Sequence, residues 1–328
     1  MNQVEYTKKA PRKIAPLILL FLLAPSIGEL LSGSSPPAEF FNPFPLILLT
    51  SLYGSGAIVV RELKVMWGKD YRTLLLLGAA YGILEEGLMV KSFFDPSWMD
   101  LGILGTFGRY AGINWVWTEV LIIYHMVFSI TIPITIAGLV FPNVRYERWT
   151  SNQTLFIFLV LLAAVTVFGF FFLTPYRPPI LPYLAAAASM VVLGCIANKL
   201  PMMKYPPITL AKSRVAYLIG LIFGTLFFIL DFAGPYLLRN PILVMVAVFL
   251  FIYIIWHLIK RYDWDSAGSA MGRWSIVAGC LSFMITLAFL QELDTSRLDN
   301  TSFMALTGLV AAILLLLLRG YIKRRLPA

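Results

Sequence analysis

LFIFLVLLAAVTVFGFFFL, residues 155–173, runs for 19 positions without one charged side chain. A helix that spans a bilayer needs about 20 predominantly apolar residues. Nearly uninterrupted apolar runs of the same kind lie at 242–259 and 306–318. These stretches predict membrane-spanning helices, and they decide the fold class.

The composition of the whole chain agrees with a membrane protein. Of its 328 residues, 59% are hydrophobic and only 13% are charged, and the mean hydropathy is +0.81. An ordinary soluble domain carries about 25% charged residues, so too little polar surface is present to cover a soluble globule of this size. The two cysteines and the abundance of large apolar residues also exclude a disulfide framework and a disordered chain.

Apolar segments of spanning length recur along the chain, with no soluble domain between them. We therefore predict an all-α polytopic bundle that forms a single integral membrane domain over 1–328. Segments within 14–140 carry the polar residues, and those within 154–320 are more apolar. Pro25 and Gly28 are expected to break the first segment. The ten predicted segments are 14–32, 44–61, 73–94, 116–140, 154–174, 180–198, 214–237, 241–259, 274–291 and 303–320.

Basic residues predict the orientation of the chain. If the N-terminus is cytoplasmic, 21 of the 26 Lys and Arg residues fall in inner segments, as the positive-inside rule requires. Both termini are then cytoplasmic, in the plasma membrane of a prokaryote. The net charge of +9 is thus explained by orientation, so the bilayer is the expected partner and nucleic acid is not. The oligomeric state is left open. Few basic residues remain outside: Lys91, Arg109, Arg177, Arg239 and Arg297.

Ionisable residues inside the predicted spans are few, and each is a candidate site residue because burying charge in a bilayer is costly. At about 1.5 Å of rise per residue, Glu85 and Glu86 lie about 18–20 Å from the inner end of their segment, and His125 lies about 13 Å below the outer surface. Glu29 and Asp231 lie within three turns of an outer end. All five are therefore expected in the outer half of the bilayer.

Hydroxyl groups accompany these charges. Tyr81 lies one helical turn before Glu85, and Ser129 lies one turn after His125. Gly78, Gly82 and Glu86 are spaced by four, which predicts a close helix contact along that face. Glutamates, a histidine and hydroxyls are the groups of a proton relay, a cation site or a general acid/base centre.

A purely structural role for the cluster is the alternative. Adjacent glutamates on an α-helix point about 100° apart, so Glu85 and Glu86 need not face one cavity. One of them could pair with Lys91 or His125 only to fix helix packing. At the cytoplasmic end, Glu62 beside Arg61 is expected to form a solvated ion pair.

The connection at 93–117 is rich in glycine and tryptophan. Interfacial tryptophans commonly form an aromatic belt, which is one interpretation of this segment. The other is a lid over the cluster, in which Trp115, Trp117 and Arg109 gate access.

Three segments of the sequence together match a known motif. They are AAYGILEE at 79–86, SFF at 92–94, and HMVFSI at 125–130 followed by Pro133. Their pattern resembles an uncharacterised family of bacterial and archaeal multi-pass membrane proteins, which has a Glu-containing helix ending in Ser-x-Phe and a later His-x-x-x-Ser-Ile-x-x-Pro. The resemblance covers roughly residues 20–150. It implies a membrane fold and no particular reaction.

The paired glutamates also resemble the glutamate-dependent intramembrane proteases of the CAAX-processing and bacteriocin-immunity group. Their motif is Glu-Glu-x-x-x-Arg, then Phe-x-x-x-His, then His-x-x-x-Asn. Here Val90 stands at the Arg position, Leu121 at the Phe position and Ser129 at the Asn position, and a second histidine is missing.

Three functions remain open at this point. The first is a proton- or cation-coupled permease for a small solute, which needs no cofactor. Its ion or substrate site is expected to consist of Glu85, Glu86, His125, Ser129, Tyr81, Glu29 and Asp231. The second, implied by the protease resemblance, is a membrane-embedded hydrolase in which Glu86 is the general base and His125 orients water or holds a metal. The third is a structural or accessory subunit.

Overall fold

The computed structural model describes residues 13–99, 101–203, 213–260 and 262–325. These residues form ten long helices, two short helices at Pro37–Phe40 and Gly234–Leu238, and one hairpin of two-residue strands, β1 (Arg109–Tyr110) and β2 (Ile113–Asn114). The all-α polytopic fold is thereby confirmed. The helices are α1 (Ile14–Leu31), α2 (Pro43–Met66), α3 (71–89), α4 (Trp115–Val140), α5 (Asn152–Phe172), α6 (Ile180–Lys199), α7 (Ser213–Phe232), α8 (Pro241–Ile259), α9 (Ala270–Leu293) and α10 (Met304–Arg325).

Nine of these helices, within the described ranges, are long and apolar enough to cross a membrane. The exception is α3, because Arg72, Glu85 and Glu86 make it more polar than the others. Its length matches theirs, since α-helical and π-helical turns follow one another from Tyr71 to Met89. The most polar of the ten predicted segments thus forms a helix of spanning length inside the bundle.

The first helix is continuous, which corrects the expectation that Pro25 and Gly28 break it. Pro25 occupies the last position of the α-helical part, and π-helical turns continue over Ser26–Leu31. Each π turn bonds residue i to i+5, which is wider than an α turn. The helix therefore accommodates the hydrogen bond that Pro25 cannot donate by widening its next turns.

Four π-helical stretches occur in the first four helices. They are Ser26–Leu31 in α1, Thr50–Gly54 in α2, Ile83–Met89 in α3 and His125–Thr131 in α4. Such stretches are rare and are frequent at functional sites. Here they lie beside one another, because α1, α2 and α3 all contact α4.

Helix α4 is the centre of the bundle. In its most apolar stretch 67% of residues are buried, against 6% in α6 and 11% in α8. One side of α4 packs into a core with α7 and α9 around Phe128, and the other packs with α1, α2 and α3 around Ile130. The peripheral helices expose Leu, Ile, Val and Phe, as a lipid-facing surface does.

Glycines permit the closest helix contacts. A Cβ atom at Gly78 would lie 3.0 Å from the Cα of Met126, and one at Gly82 would lie 3.1 Å from the Cβ of His125. Helix α3 therefore packs on α4 through the small-residue face predicted from the sequence. Gly224 of α7 approaches the backbone of Cys280 in α9 in the same way.

Glu62 and Arg61 form a buried ion pair, which corrects the expectation of a solvated one. Glu62 is 0% exposed and Arg61 2%. The connection after α4 covers them: the amides of Trp149 and Thr150 donate to Glu62, at 3.0 and 3.3 Å. The pair lies inside the molecule because α2 continues to Met66 instead of ending at 61.

Candidate functional site

His125 lies between two carboxylates. Its Nε2 atom is 3.0 Å from the Oε1 atom of Glu86, and its Nδ1 atom is 3.2 Å from the Oε2 atom of Glu85. The hydroxyl of Ser129, one turn further along α4, is 3.0 Å from the same Nδ1 atom. His125, Glu85 and Ser129 are buried, while the Glu86 side chain retains 13% exposure.

The π-helical turns explain how neighbouring glutamates reach one histidine. Glu85 and Glu86 lie in the Ile83–Met89 stretch, and His125 begins the His125–Thr131 stretch. A turn closed by i→i+5 bonds holds more residues than an α turn, so successive side chains are separated by less than the α-helical 100°. Both carboxylates therefore face the imidazole, although the α-helical angle did not require it.

Tyrosines and a third carboxylate surround this centre. The hydroxyl of Tyr53 donates to Glu29, and the rings of Tyr53 and Tyr81 lie 6.0 and 6.1 Å from the His125 ring. Glu29 is within electrostatic range of Glu85, Glu86 and His125. We refer to Glu29, Glu85, Glu86 and His125 as the Glu/His cluster.

One side of the Glu/His cluster continues toward the loop at 93–117. The hydroxyl of Ser92 donates to Glu86, and Nε1 of Trp117 donates to Ser92 over 3.1 Å. Arg109 donates to the carbonyls of Phe94 and Asp95, at 2.7 and 3.2 Å, so it fixes the loop. Trp115 is 41% exposed and bonds only back to the loop, at Tyr110.

Lys91 does not pair with either glutamate. Its ammonium group donates to the carbonyls of Phe170 and Thr174, at 2.6 and 3.1 Å, and so caps the end of α5. Among the described residues, no lysine or arginine forms an ion pair with Glu29, Glu85 or Glu86. The pairing partner of the glutamates is His125.

Asp231 lies apart from the Glu/His cluster. It is in the last turn of α7, and among the described residues it forms no ion pair with His125. The structure therefore brings together Glu29, Tyr81, Glu85, Glu86, His125 and Ser129, and it leaves Asp231 and Trp115 outside. Glu119 is a second isolated acid, with a buried Oε2 atom that has no hydrogen-bond partner among the described residues.

Two functional candidates were not singled out from the sequence as ligands. Tyr53 lies in the stretch TSLYGSG, 50–56, whose small and polar residues inside an apolar segment were the available signal. Ser92 follows the end of α3, where its hydroxyl links Glu86 to Trp117. A tyrosine in a span and a serine at a helix end are both common, so neither residue type draws attention by itself.

The donor set is compatible with a metal ion. One ligand atom each from Glu85, Glu86 and His125 lies within 4.8 Å of the other two. Carboxylate oxygens and an imidazole nitrogen are ligands that zinc and other divalent transition metals accept. The same atoms are equally arranged to share protons.

Comparison with known proteins identifies the family. An uncharacterized membrane protein family matches residues 18–322. The chain belongs to this family. The match includes all ten helices except the ends of α1 and α10, and it includes every residue of the Glu/His cluster.

A relative in Archaeoglobus fulgidus, described as an uncharacterized protein, is 26% identical over 127 residues. The matched region spans 38% of this chain and 38% of the relative. No solved structure matches the chain.

Proposed function

We propose that this protein is a proton- or cation-coupled permease for a small solute, with the Glu/His cluster as its coupling site. The observation that carries the proposal is the unbalanced charge of the cluster. Three carboxylates and one imidazole lie together inside the bundle, and none of the carboxylates has a lysine or arginine partner among the described residues.

The charge of the cluster depends on what it binds. With all four groups ionised, three negative charges would face one positive charge. An uncompensated charge in an apolar interior is expensive, so such groups take up protons or a cation. The buried carboxylates are stable inside the membrane only when a proton or another cation is bound. A site of this kind is suited to couple a cation gradient to transport.

The imidazole provides the transfer step. Nε2 of His125 faces Glu86 and Nδ1 faces Glu85, so His125 can accept a proton at one nitrogen and release it at the other. Ser92 and Trp117 lie on the Glu86 side, which makes that side the entrance. The loop at 93–117, with Trp115, Trp117 and Arg109, is then the gate.

The orientation proposed for the chain is that of a prokaryotic plasma-membrane protein with both termini in the cytoplasm. It rests on the excess of basic residues in alternate connections. Under this orientation, the cluster opens to the outer side and takes up protons from there.

The test is proton uptake by the purified protein in proteoliposomes that contain a pH-sensitive dye. Pools of small metabolites are screened to find the transported solute. In the presence of that solute, an imposed proton gradient should acidify the lumen. Glu86→Gln and His125→Gln should each lower the flux at least tenfold while the protein keeps its thermal stability in detergent. Glu119→Gln is the matched control, because it neutralises a buried acid outside the cluster.

Three outcomes are distinguishable. A loss of flux limited to the cluster variants supports the proposal. Unchanged flux in Glu86→Gln and His125→Gln contradicts it. A loss of thermal stability in these variants, with the remaining folded protein fully active, assigns the cluster to helix packing and favours an accessory subunit.

The second candidate is a membrane-embedded hydrolase with a metal or an oriented water at Glu86 and His125. It is favoured by the convergence of ligand atoms from Glu85, Glu86 and His125 within 4.8 Å. In that case Glu86 acts as general base on a lipid-linked or peptide substrate. Elemental analysis of the purified protein tests it, since one metal equivalent that is lost in His125→Gln would support the hydrolase over the permease.

A further inference from the structure

A cavity lies away from the Glu/His cluster, between the first four helices and the later ones. Its volume is about 190 Å³, larger than the engineered cavity of about 150 Å³ that stays dry and binds benzene. Most of its wall is apolar, with Leu74 of α3, Val127 of α4 and Phe223 of α7 as examples. It shares no residue with the cluster, so the following inference is independent of the proposed transport.

One end of this cavity is basic and aromatic. Its wall includes Trp149, Trp264 and Tyr146, and the cavity reaches the molecular surface at Tyr146, which is 52% exposed. Tryptophan and tyrosine are typical of the membrane–water boundary. The basic residues at this end are Arg61, Lys64, Arg145 and Arg273, and the one acidic residue described in the wall is Asp265.

These four cations are not equivalent. Arg61 is paired with Glu62, and Lys64 lies 3.5 Å from Asp265. Arg145 and Arg273 instead donate to backbone carbonyls of the connection before α9, and neither forms an ion pair with a described carboxylate. Carbonyl oxygens do not neutralise a guanidinium group, so both keep a full positive charge.

Arg273 lines the cavity and carries a donor that is unpaired within the described part of the chain. The residue is only 7% exposed, its Nη1 atom donates to the carbonyls of Trp264 and Ser266, and its Nη2 atom has no hydrogen-bond partner among the described residues. A buried donor without a partner is costly. An anion at the mouth of the cavity would compensate the positive charges of Arg273 and Arg145.

We propose that this cavity is a binding site for an anionic membrane lipid, whose acyl chain fills the apolar part and whose phosphate group binds Arg273 and Arg145. The apolar wall excludes a free inorganic anion as the sole occupant. The basic end disfavours a zwitterionic or cationic lipid. Basic pockets between spanning helices on the cytoplasmic side have the chemistry that binds phosphate headgroups.

The test uses the full chain, delipidated in a non-ionic detergent and titrated with phosphatidylglycerol. Binding is followed by native mass spectrometry and by the rise in melting temperature. Phosphatidylcholine and inorganic phosphate are titrated in parallel, to separate the acyl chain from the anionic group.

Two variants change the cavity in different ways. Arg273→Gln removes the free guanidinium donor, and Gly138→Leu fills the cavity, because a Cβ at Gly138 has its nearest neighbour 3.7 Å away at Arg145. Each should weaken phosphatidylglycerol binding at least tenfold. Arg324→Gln is the control, since Arg324 is an exposed arginine near the end of α10 that lies outside the cavity.

Saturable binding of phosphatidylglycerol that is lost in both variants and kept in the control supports the proposal. Equal binding of phosphatidylcholine, an equal effect of inorganic phosphate, or unchanged binding in Gly138→Leu overturns it. Because Gly138→Leu leaves the charges in place, it decides the result even if Arg273→Gln does not fold.

Discussion

Glu62 holds two parts of the chain together at the basic end of the molecule. It pairs with Arg61 on its own helix, accepts hydrogen bonds from Trp149 and Thr150, and lies 3.7 Å from the guanidinium of Arg148. Arg61 in turn stacks on the Trp149 ring, 3.6 Å from its centroid, and donates to carbonyls of the same connection. One buried carboxylate thus fixes the α4–α5 connection to α2.

Neutralising Glu62 leaves Arg61 buried without its counter-charge. Removing one partner of a buried pair costs about 3–5 kcal/mol, so Glu62→Gln should lower the free energy of unfolding by that amount. The measurement is chemical or SDS-induced unfolding in mixed micelles. Glu147→Gln is the matched control, because the Glu147 side chain, paired with Lys13, is 58% exposed and such pairs contribute at most about 1 kcal/mol.

The double variant Arg61→Met, Glu62→Gln sharpens this test. If the cost of Glu62→Gln comes from the stranded guanidinium, the double variant should be more stable than the sum of the single variants predicts. Strict additivity would show that Glu62 acts through Trp149 and Thr150 and not through Arg61.

At the scale of elements, the contact between α3 and α4 positions the Glu/His cluster. A Cβ at Gly78 would lie 3.0 Å from both the Cα and the carbonyl oxygen of Met126. These are backbone atoms, which cannot turn aside as a flexible side chain can. Gly78→Ala should therefore force the helices apart and move Glu86 away from His125.

Overpacking of this kind costs about 1–3 kcal/mol, so Gly78→Ala should lower the melting temperature in detergent and reduce proton uptake together. Gly194→Ala in α6 is the control, because a Cβ placed there has no described atom within 4 Å apart from its own stretch of helix. Alanine is about 0.5–1 kcal/mol better than glycine inside a helix, so this variant should be neutral or more stable. Equal effects of the two substitutions would contradict the proposed contact.

Helix α3 begins at an acidic cap that makes its stability depend on pH. Asp70 accepts from the amide of Arg72, from the Arg72 guanidinium and from the amide of Met203. Burial alone would raise the pKa of Asp70, but hydrogen bonds from the Arg72 side chain and the Met203 and Arg72 amides outweigh it and lower the pKa. A lowered folded-state pKa stabilises the protein above the unfolded value of about 3.9, and this contribution is lost as the pH falls through the folded-state pKa.

Asp70→Asn isolates the charge, since the amide oxygen can still cap the helix. At pH 7 the variant should melt at a lower temperature than the unmodified protein. This difference should shrink as the pH falls below about 3.9 and vanish only below the lowered folded-state pKa of Asp70. Thermal unfolding across pH 3–7 in detergent measures it. A difference that is independent of pH would mean that the charge of Asp70 does not stabilise α3.

The helices were predictable from sequence and the π-helical stretches were not. In lipid, every backbone polar group of a spanning helix must bond within that helix. Spanning helices are therefore long and apolar, so hydropathy identifies runs such as 155–173. A change from i→i+4 to i→i+5 bonding leaves no such mark, because it is selected by packing against neighbouring helices. Glu85, Glu86 and His125 could be identified from sequence because burying an ionisable group in a membrane span costs free energy. The role of Tyr53 could not, because it depends on the widened turn of α2.

At the scale of the whole molecule, α4 is shared by two hydrophobic cores, one around Phe128 and one around Ile130. Its first-half contacts build the Glu/His cluster at His125, and the stretch from Val127 to Gly138 forms one wall of the cavity that faces α7 and α9. A movement of α4 would therefore change both places. The lipid proposed for the cavity would thereby influence the geometry of the cluster through one helix.

The orientation of this arrangement depends on whether α3 crosses the membrane. With ten crossings the termini share one side, and the basic connections that follow α2, α4, α6 and α8 all face the cytoplasm. With nine crossings, every connection after α3 changes side. Because α3 carries the glutamates of the cluster, its crossing also decides whether the cluster lies within the bilayer.

Single cysteines in a variant without Cys195 and Cys280 test this topology in intact cells with a membrane-impermeant maleimide. Ser97→Cys before α4 and Ser302→Cys before α10 should react directly, since both sites are exposed on the predicted outer side. Gln153→Cys at the start of α5 and Lys323→Cys at the end of α10 should react only after permeabilisation. Direct labelling of Gln153→Cys and protection of Ser302→Cys would contradict ten crossings with cytoplasmic termini, and the charge distribution would then no longer explain the orientation.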